Sequence, residues 1–538
     1  MKRFHYGDPS ADLNLACFLE NGAQNWPNNP AVIYEGNNLT YTELNAAANR
    51  LANALTGLGV GMGDKVAIML PNIPEFPIAY FGVLKLGATV VPVNTMFKEM
   101  ELQYILEDSR AKAIIAWEPA ISEVLKALPQ SPDCRNCIVV GDDGSRQSVD
   151  IGTAELRCAT LQDITKAASP NFTSRRTRET DTAVILYTSG TTGRSKGAEL
   201  THFNMYCNAV TVAEMIDICD KDRFVATLPL FHSFGQTHVM NAAFSRGGAI
   251  IPHPRFDAVK VLESFQRDSA TLFAGVPTMY VYLLNAAQPD STEPDQSAAS
   301  DGTVGPSSLR LCVSGGAPMP VSVLHEFERR FGVIIIEGYG LSETSPVACS
   351  NRPNRVRKPG SIGFPLKDVD MRVVDDNDRE LPPGEVGEIV IIGPNIMKGY
   401  LNKPEATVEA MRNGWFHTGD LAYRDEDGYF YIVDRKKDMI LKSGYNVYPR
   451  EVEEVLYRHP AVAEAAVVGV PDPAKGEEVK AYVVLKDGAS ATEEELIAHC
   501  RELMAAYKCP KYIESISALP KSATGKILRR ELRGRARN

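Results

Sequence analysis

Ten residues from Thr188 to Gly197, TSGTTGRSKG, hold five hydroxyl side chains, three glycines, one Arg and one Lys. Glycines let backbone N–H groups approach an anion closely, and Ser and Thr hydroxyls rotate to donate to its oxygens, so phosphate is the expected guest. A flexible linker has a similar composition. Two neighbours argue against that reading: TAVILY (182–187) reads as a buried strand, and Thr201 can cap a helix beginning HFNMYCNAVTVAEM. A polar glycine loop leading from strand to helix is a phosphate-binding context. Its spacing excludes two common versions. Gly190 and Gly193 are three apart and Arg194 follows the second, so the P-loop pattern fails, and so does G-x-G-x-x-G.

Four other stretches carry chemistry. GYGLSET (338–344) sets two hydroxyls and a carboxylate among glycines; beside phosphates, Glu343 is a hard oxygen ligand suited to Mg²⁺. VSGGAP (313–318) follows an apolar strand with residues small enough for a flat ring to lie against the backbone, although a tight turn has the same composition. WFHTGD (415–420) ends in Asp420, whose carboxylate can accept two hydroxyls of a ribose diol. PKSATGK (520–526) presents Lys526 on a glycine loop, a position that surface charge alone also explains.

The elements that must position these residues read as α/β. Residues 65–93 run strand, helix, strand, which implies a parallel sheet with helical cover. Strand-like segments recur at 111–116, 136–140 and 309–316. Residues 286–308 are rich in Pro, Ser and Asp and read as a mobile surface excursion. From about 360 short strands with turns suggest a small β subdomain, and beyond VDRKKD (433–438) helix and strand alternate as a small α+β unit. The run Arg435-Lys436-Lys437-Asp438 is a candidate hinge between the two parts.

Composition narrows the class. The 538 residues are enough for several domains, and 44% hydrophobic with 23% charged residues is an ordinary globular balance. A net charge of −10 gives no reason to expect nucleic acid. Ten cysteines include a single C-x-x-C, Cys134 and Cys137, with no second pair to complete a zinc site. No apolar run approaches the ~20 residues of a membrane span, and neither signal-peptide nor lipidation patterns are present. A cytoplasmic protein is expected, and a homodimer stays open.

Taken in order, YTSGTTGRSKG, GYGLSET, WFHTGD, GYFYIVDRKKDMI and PKSATGK resemble the adenylate-forming acyl-CoA synthetase and luciferase superfamily over essentially the whole chain. The resemblance implies a large N-terminal domain (1–434) of parallel-rich sheets with helices and a β subdomain at about 360–434, then a small mobile α+β domain (435–538) carrying a catalytic lysine. Its implied catalytic positions are Lys526, Thr188, Glu343 and His232, with Thr188 and Glu343 as metal ligands. The segment Thr188, Ser189, Gly190, Thr191, Thr192 and Gly193, with Lys196 and Thr344, would hold the phosphates of ATP. Gly315, Gly316 and Ala317 would sit by the adenine, and Glu337, Gly338, Tyr339 and Gly340 would be further cofactor-binding positions. Asp420 and Arg435 would hold the ribose beside Ile432, Lys526 would reach the α-phosphate and the acyl carboxylate, and Lys437 matches the hinge. Lys442, Gly444 and Tyr445 would belong to the surface used when the thioester forms. ATP, Mg²⁺ and coenzyme A are the implied cofactors, and a small carboxylic acid is the substrate. CoA's own thiol attacks the mixed anhydride, so no cysteine need be catalytic.

The acid is less legible. Amino-acid-activating relatives place an acidic residue where PLFHSFGQT (229–237) has His232, which argues against an amino acid. The wording is most similar to fatty-acyl-CoA ligases, and the apolar HVMNAAF could line an acyl tunnel. A medium- to long-chain fatty acid is expected, with an aryl or alicyclic acid as the alternative. A fatty-acyl-AMP ligase feeding a carrier protein is disfavoured, since the compact stretch Ile362–Tyr400 lacks that class's insertion. A luciferase-like oxygenase and a non-catalytic nucleotide-binding regulator complete the set; Glu343, Asp420, Arg435 and Lys526 together speak against the last.

Overall fold

The computed structural model describes residues 7–141, 157–188, 195–287, 308–443, 445–472, 475–486, 488–523 and 525–535. Two large sheets dominate the first three quarters of the chain. One has eight strands in the order Gly399–Tyr400, Lys196–Thr201, Thr182–Thr188, Thr89–Pro92, Lys65–Met69, Ala111–Trp117, Asn136–Val140 and Arg157–Thr160. From Thr182–Thr188 onward its pairings are parallel, as the β-α-β reading of 65–93 requires. Its strands are apolar on both faces: in Lys65–Met69, Val66 and Ile68 enter one hydrophobic cluster while Ala67 and Met69 enter another. A parallel sheet covered by helices on both sides has this pattern.

The second sheet has nine strands, with Leu272–Gly275, Leu311–Ser314 and Ile335–Gly340 parallel neighbours near its centre. Both sheets share the larger hydrophobic cluster. A four-stranded antiparallel sheet follows, built from Asp370–Val374, Gly387–Ile392, Phe416–Arg424 and Phe430–Arg435. Beyond it, residues 440–532 form their own hydrophobic clusters around the long hairpin Val462–Asp472 and Gly476–Leu485, flanked by helices Pro449–Tyr457 and Glu493–Leu503. The alternation of helix and strand read from EVEEVLYRHP to EEELIAHCRELM is therefore present.

One local expectation is corrected. The hydroxyl-rich loop does not lead directly into a helix. The strand Lys196–Thr201, not a helix, comes next, and it pairs antiparallel with Thr182–Thr188. Gly197, Ala198, Leu200 and Thr201 of KGAELT are buried, and only then does Thr201 cap the helix His202–Met215, accepting the Asn204 N–H at 3.1 Å. Residues 189–194, most of the loop itself, lie outside the described residues, as do 288–307 of the expected surface excursion.

Candidate active site

The site lies where the two large sheets meet. Thr188 ends a strand of the eight-stranded sheet, and Glu343 lies just past the strand Ile335–Gly340 of the nine-stranded one. Thr188 Oγ1 donates to Glu343 Oε1 at 3.2 Å. Tyr400 OH donates to the same oxygen at 3.0 Å. Among the described residues Oε2 receives no such bond, which leaves it for a cation or a polar ligand. Tyr400 arrives through pairing: the strand Gly399–Tyr400 adds to Lys196–Thr201, setting Tyr400 opposite Ala198. Lys196 Nζ lies 5.1 Å from the Tyr400 ring centroid, so a cation, an aromatic hydroxyl and a carboxylate share this corner. Burial and the Glu343 carboxylate raise the Tyr400 phenol well above its ordinary range, so it stays a donor.

Backbone packing explains the glycines before Glu343. A Cβ on Gly340 would lie 1.8 Å from the Pro346 carbonyl oxygen, a distance no side chain tolerates. Thr344 is fully buried; its hydroxyl accepts Leu341 N–H at 2.9 Å and donates to Leu341 O at 3.1 Å, so it braces this turn. Glu337 has a similar bracing part. Its carboxylate accepts Gly360 N–H at 2.9 Å, and burial pushes its pKa up to about 7 despite that bond and nearby Arg450. Gly338 pairs with Ser350 across the neighbouring strand.

Tyr339 OH donates to Asp420 Oδ2 at 2.7 Å, and Arg435 Nε is 3.4 Å from Asp420 Oδ1. The last two are cross-strand partners in the antiparallel sheet, which is why residues fifteen apart in sequence meet. The Gly419 N–H donates to Glu388 Oε1 at 3.0 Å and steadies the turn before Asp420. Ile432 lies on the same strand as Arg435, its carbonyl accepting from Arg450 Nη1. On the other side, Gly315 N–H donates to Gly275 O at 3.2 Å at the end of the strand Leu311–Ser314, opening the small-residue turn Gly315, Gly316, Ala317.

Lys526 reaches this centre from the end of the chain. Burial first, and then the Arg435 cation, pull its pKa down to about 8, while Asp420 acts the other way. Its charge is also felt by His232. Burial and then Lys526 hold that imidazole at about 4, so it is neutral near pH 7. His232 Nδ1 accepts the Phe234 N–H at 3.2 Å, which assigns the ring proton to Nε2. A cavity of about 130 Å³ runs between Tyr187, Phe231, His232 and Ser342 on one side and Ser522 and Ala523 beside Lys526 on the other. Lys437 is exposed beside the same charges, its pKa lowered by partial desolvation and then by Arg435.

Lys442 and Tyr445 are not brought to this cavity. Lys442 is buried in an ion pair with Glu478, with Nζ 3.5 Å from Cys509 O, and Tyr445 is exposed and lies tilted against Tyr507 at 4.9 Å between centroids. Gly444 lies outside the described residues, as do Ser189, Gly190, Thr191, Thr192 and Gly193. The sequence reading missed Tyr400; MKGYLN carries no chemical signature until strand pairing sets its hydroxyl on Glu343.

HVMNAAF (238–244), expected to line an acyl tunnel, runs from the end of a wide, i→i+5 helix over Phe234–Asn241 into the short α-helix Ala242–Phe244; such wide helices concentrate at functional sites. It is less apolar than the sequence suggests. His238 is buried and, among the described residues, neither ring nitrogen finds a hydrogen-bond partner; nor do the buried Gln236 Oε1 and Asn241 Oδ1. No group of three or more His, Cys, Asp or Glu side chains able to hold a metal occurs among the described residues. No helix among them is long and apolar enough to cross a membrane.

Known proteins match this arrangement along the whole chain. A family model described as "AMP-binding enzyme" matches residues 19–401, and "AMP-binding enzyme C-terminal domain" matches 451–526. The chain is 40% identical over 546 residues to a long-chain-fatty-acid–CoA ligase of Bacillus subtilis (strain 168), covering 97% of this chain and 95% of that one. It is 39% identical over 510 residues to a feruloyl-CoA synthase of Amycolatopsis sp, covering 95% and 96%. The crystal structure of the anthranilate CoA ligase AuaEII in complex with anthranoyl-AMP superposes with a TM-score of 0.87 at 30% identity, covering 100% of this chain and 98% of that one.

Proposed function

The chain belongs to the AMP-binding enzyme family and is an AMP-forming acid–CoA ligase using ATP and CoA, and we propose that its acid is a medium- to long-chain fatty acid. What carries the site reading is that Asp420, Arg435, His232 and Lys526 come together from separate parts of the chain, while Ser342, next to Glu343, lines the same cavity as His232.

In this reading a carboxylate oxygen of the acid attacks the α-phosphorus of ATP, pyrophosphate leaves, and the thiol of CoA then displaces AMP from the acyl-adenylate. Asp420 holds the ribose hydroxyls with Tyr339 and Arg435 fixing its orientation. Lys526 stabilises charge at the α-phosphate where the acid arrives. The neutral imidazole of His232 donates its Nε2 proton as a hydrogen bond to the acid and orients it; it does not act as a base. Positioning and electrostatic stabilisation are the main levers in such a displacement. Thr188 and Glu343 offer hard oxygens that would hold Mg²⁺, which screens the phosphates. With one carboxylate and one hydroxyl the ion would come with the nucleotide rather than reside in a protein cage. The ten cysteines are free thiols, in keeping with a reducing, cytoplasmic setting.

A second reading has one observation behind it. The unpartnered nitrogens of His238 give the helix Phe234–Asn241 a polar point that a saturated chain would leave unmet and an oxygenated aryl acid would satisfy. A panel of carboxylic acids assayed for AMP with and without CoA decides. Saturated C8–C16 acids should be turned over, with kcat/KM rising several-fold per pair of carbons, since each buried CH₂ contributes ~0.8 kcal/mol. If those acids are inert and a hydroxylated cinnamate or benzoate is best, the fatty-acid assignment is wrong and the aryl reading replaces it.

A further inference from the structure

We propose that Tyr282 is a positioning residue for Lys526, docking the turn that carries the lysine during adenylation and playing no part in thioester formation. The proposal rests on the adenylation role assigned to Lys526 above.

Lys521 and Lys526 belong to one backbone unit. An isolated β-bridge joins Lys521 to Ile527. Ser522 N–H donates to Lys526 O at 2.8 Å, Lys526 N–H to Ser522 Oγ at 3.2 Å, and Leu528 N–H to Pro520 O at 2.8 Å. Moving the Lys521 side chain's anchor therefore moves Lys526.

That anchor is shared by two parts of the chain. Lys521 Nζ donates to Glu464 Oε1 at 2.7 Å, a contact within the C-terminal unit. It also donates to Tyr282 OH at 3.1 Å, and the Tyr282 hydroxyl donates in turn to Glu464 Oε1 at 3.3 Å. Tyr282 comes from the helix Pro277–Ala286, which is packed in the core of the large sheets. Just before that helix, Val276 touches the same turn: a Cβ on Gly525, whose φ is +76°, would lie 2.9 Å from Val276 Cγ2. The turn is thus held at two points on one helix and its leading residue, one polar and one by close approach. Two contacts fix orientation where one would leave a pivot.

Accuracy at this place has leverage, because a displacement of about 1 Å in a catalytic group can cost on the order of 10²-fold in rate. Tyr282 is partly exposed, so removing its hydroxyl leaves no buried orphan, and Lys521 and Glu464 keep each other. Tyr282→Phe isolates the cross-contact without unfolding either part. Lys521→Met removes the same link from the other side.

The test measures two rates in the full-length enzyme: single-turnover acyl-adenylate formation from acid and ATP, and thioester formation from synthetic acyl-AMP and CoA. Tyr282→Phe should slow the first by about 2- to 10-fold, the scale of one net hydrogen bond. It should leave the second at the wild-type rate. Lys521→Met, which also breaks the ion pair with Glu464, should slow adenylation at least as much and likewise leave thioester formation unchanged. Lys526→Ala is run alongside. If it slows adenylation while Tyr282→Phe does not, the docking role is wrong and the Lys526 assignment stands. If Lys526→Ala leaves adenylation unchanged, the assignment itself fails and the docking role with it. Equal slowing of both rates by Tyr282→Phe also overturns the proposal, since it would mark general structural damage.

Discussion

Lys526 and His232 form a pair whose burial assigns their charge states. In the proposed role the lysine acts as a cation, and burial and Arg435 lower its pKa to about 8, so in the free enzyme the active form is present below that pH and is lost as pH rises through it. Bound polyphosphate favours the cation and moves the loss upward. The alkaline limb of kcat/KM for ATP should therefore fall near pH 8, with the limb of kcat displaced to higher pH, because the two parameters report free and complexed enzyme respectively. His232, held at about 4 by burial and then by Lys526, should contribute no acidic limb between pH 5 and 7. A kcat/KM profile for ATP that is flat from pH 7 to 9.5 would refute the charge assignment of Lys526. His232→Ala should slow adenylation by on the order of 10–10², less than loss of a charged donor, since only an orienting neutral hydrogen bond disappears.

At the scale of elements, the strand end at Gly340 determines where Glu343 stands. Gly340→Ala sets a methyl carbon against the Pro346 carbonyl, so strand or turn must shift. Unfolding in urea should show a loss of about 1–3 kcal/mol, the usual cost of forced overpacking. The apparent KM for Mg²⁺-ATP should rise with it, because Thr188 and Tyr400 converge on Glu343 from fixed strands. Unchanged stability and unchanged KM would show that the close approach has no functional consequence. The same elements mark the limit of what sequence reveals. TAVILY announced its strand because five apolar residues with two turn-rich flanks leave few alternatives. KGAEL did not, because its partner strand lies across a glycine loop and five residues mixing Lys and Glu with Gly, Ala and Leu show no apolar period. Tyr400 was illegible for a related reason: pairing with Ala198, some two hundred residues away, is what gives its hydroxyl a carboxylate to meet. Asp420 and Lys526 had recognisable chemistry in their own motifs, yet only the order of all the motifs together separated them from ordinary surface charge. His238 was read as part of an apolar run and is a buried, unpartnered imidazole, a feature that depends on packing from every side.

For the whole molecule, the arrangement has Lys526 delivered into the centre by a unit with its own hydrophobic clusters, while Lys442 and Tyr445 on that unit face elsewhere. With Lys526 at the cavity and Lys442 and Tyr445 away from it, the proposed scheme is a molecule that adenylates in this arrangement and turns another side of the unit to CoA. The central claim is that Lys526 serves the first step alone. The direct measurement is the rate of each half-reaction in Lys526→Ala by single-turnover kinetics. Acyl-adenylate formation should fall by on the order of 10²–10³, the scale for losing one preorganised donor to a transition state, while synthetic acyl-AMP and CoA should yield thioester at close to the wild-type rate. Equal slowing of both half-reactions would contradict the account.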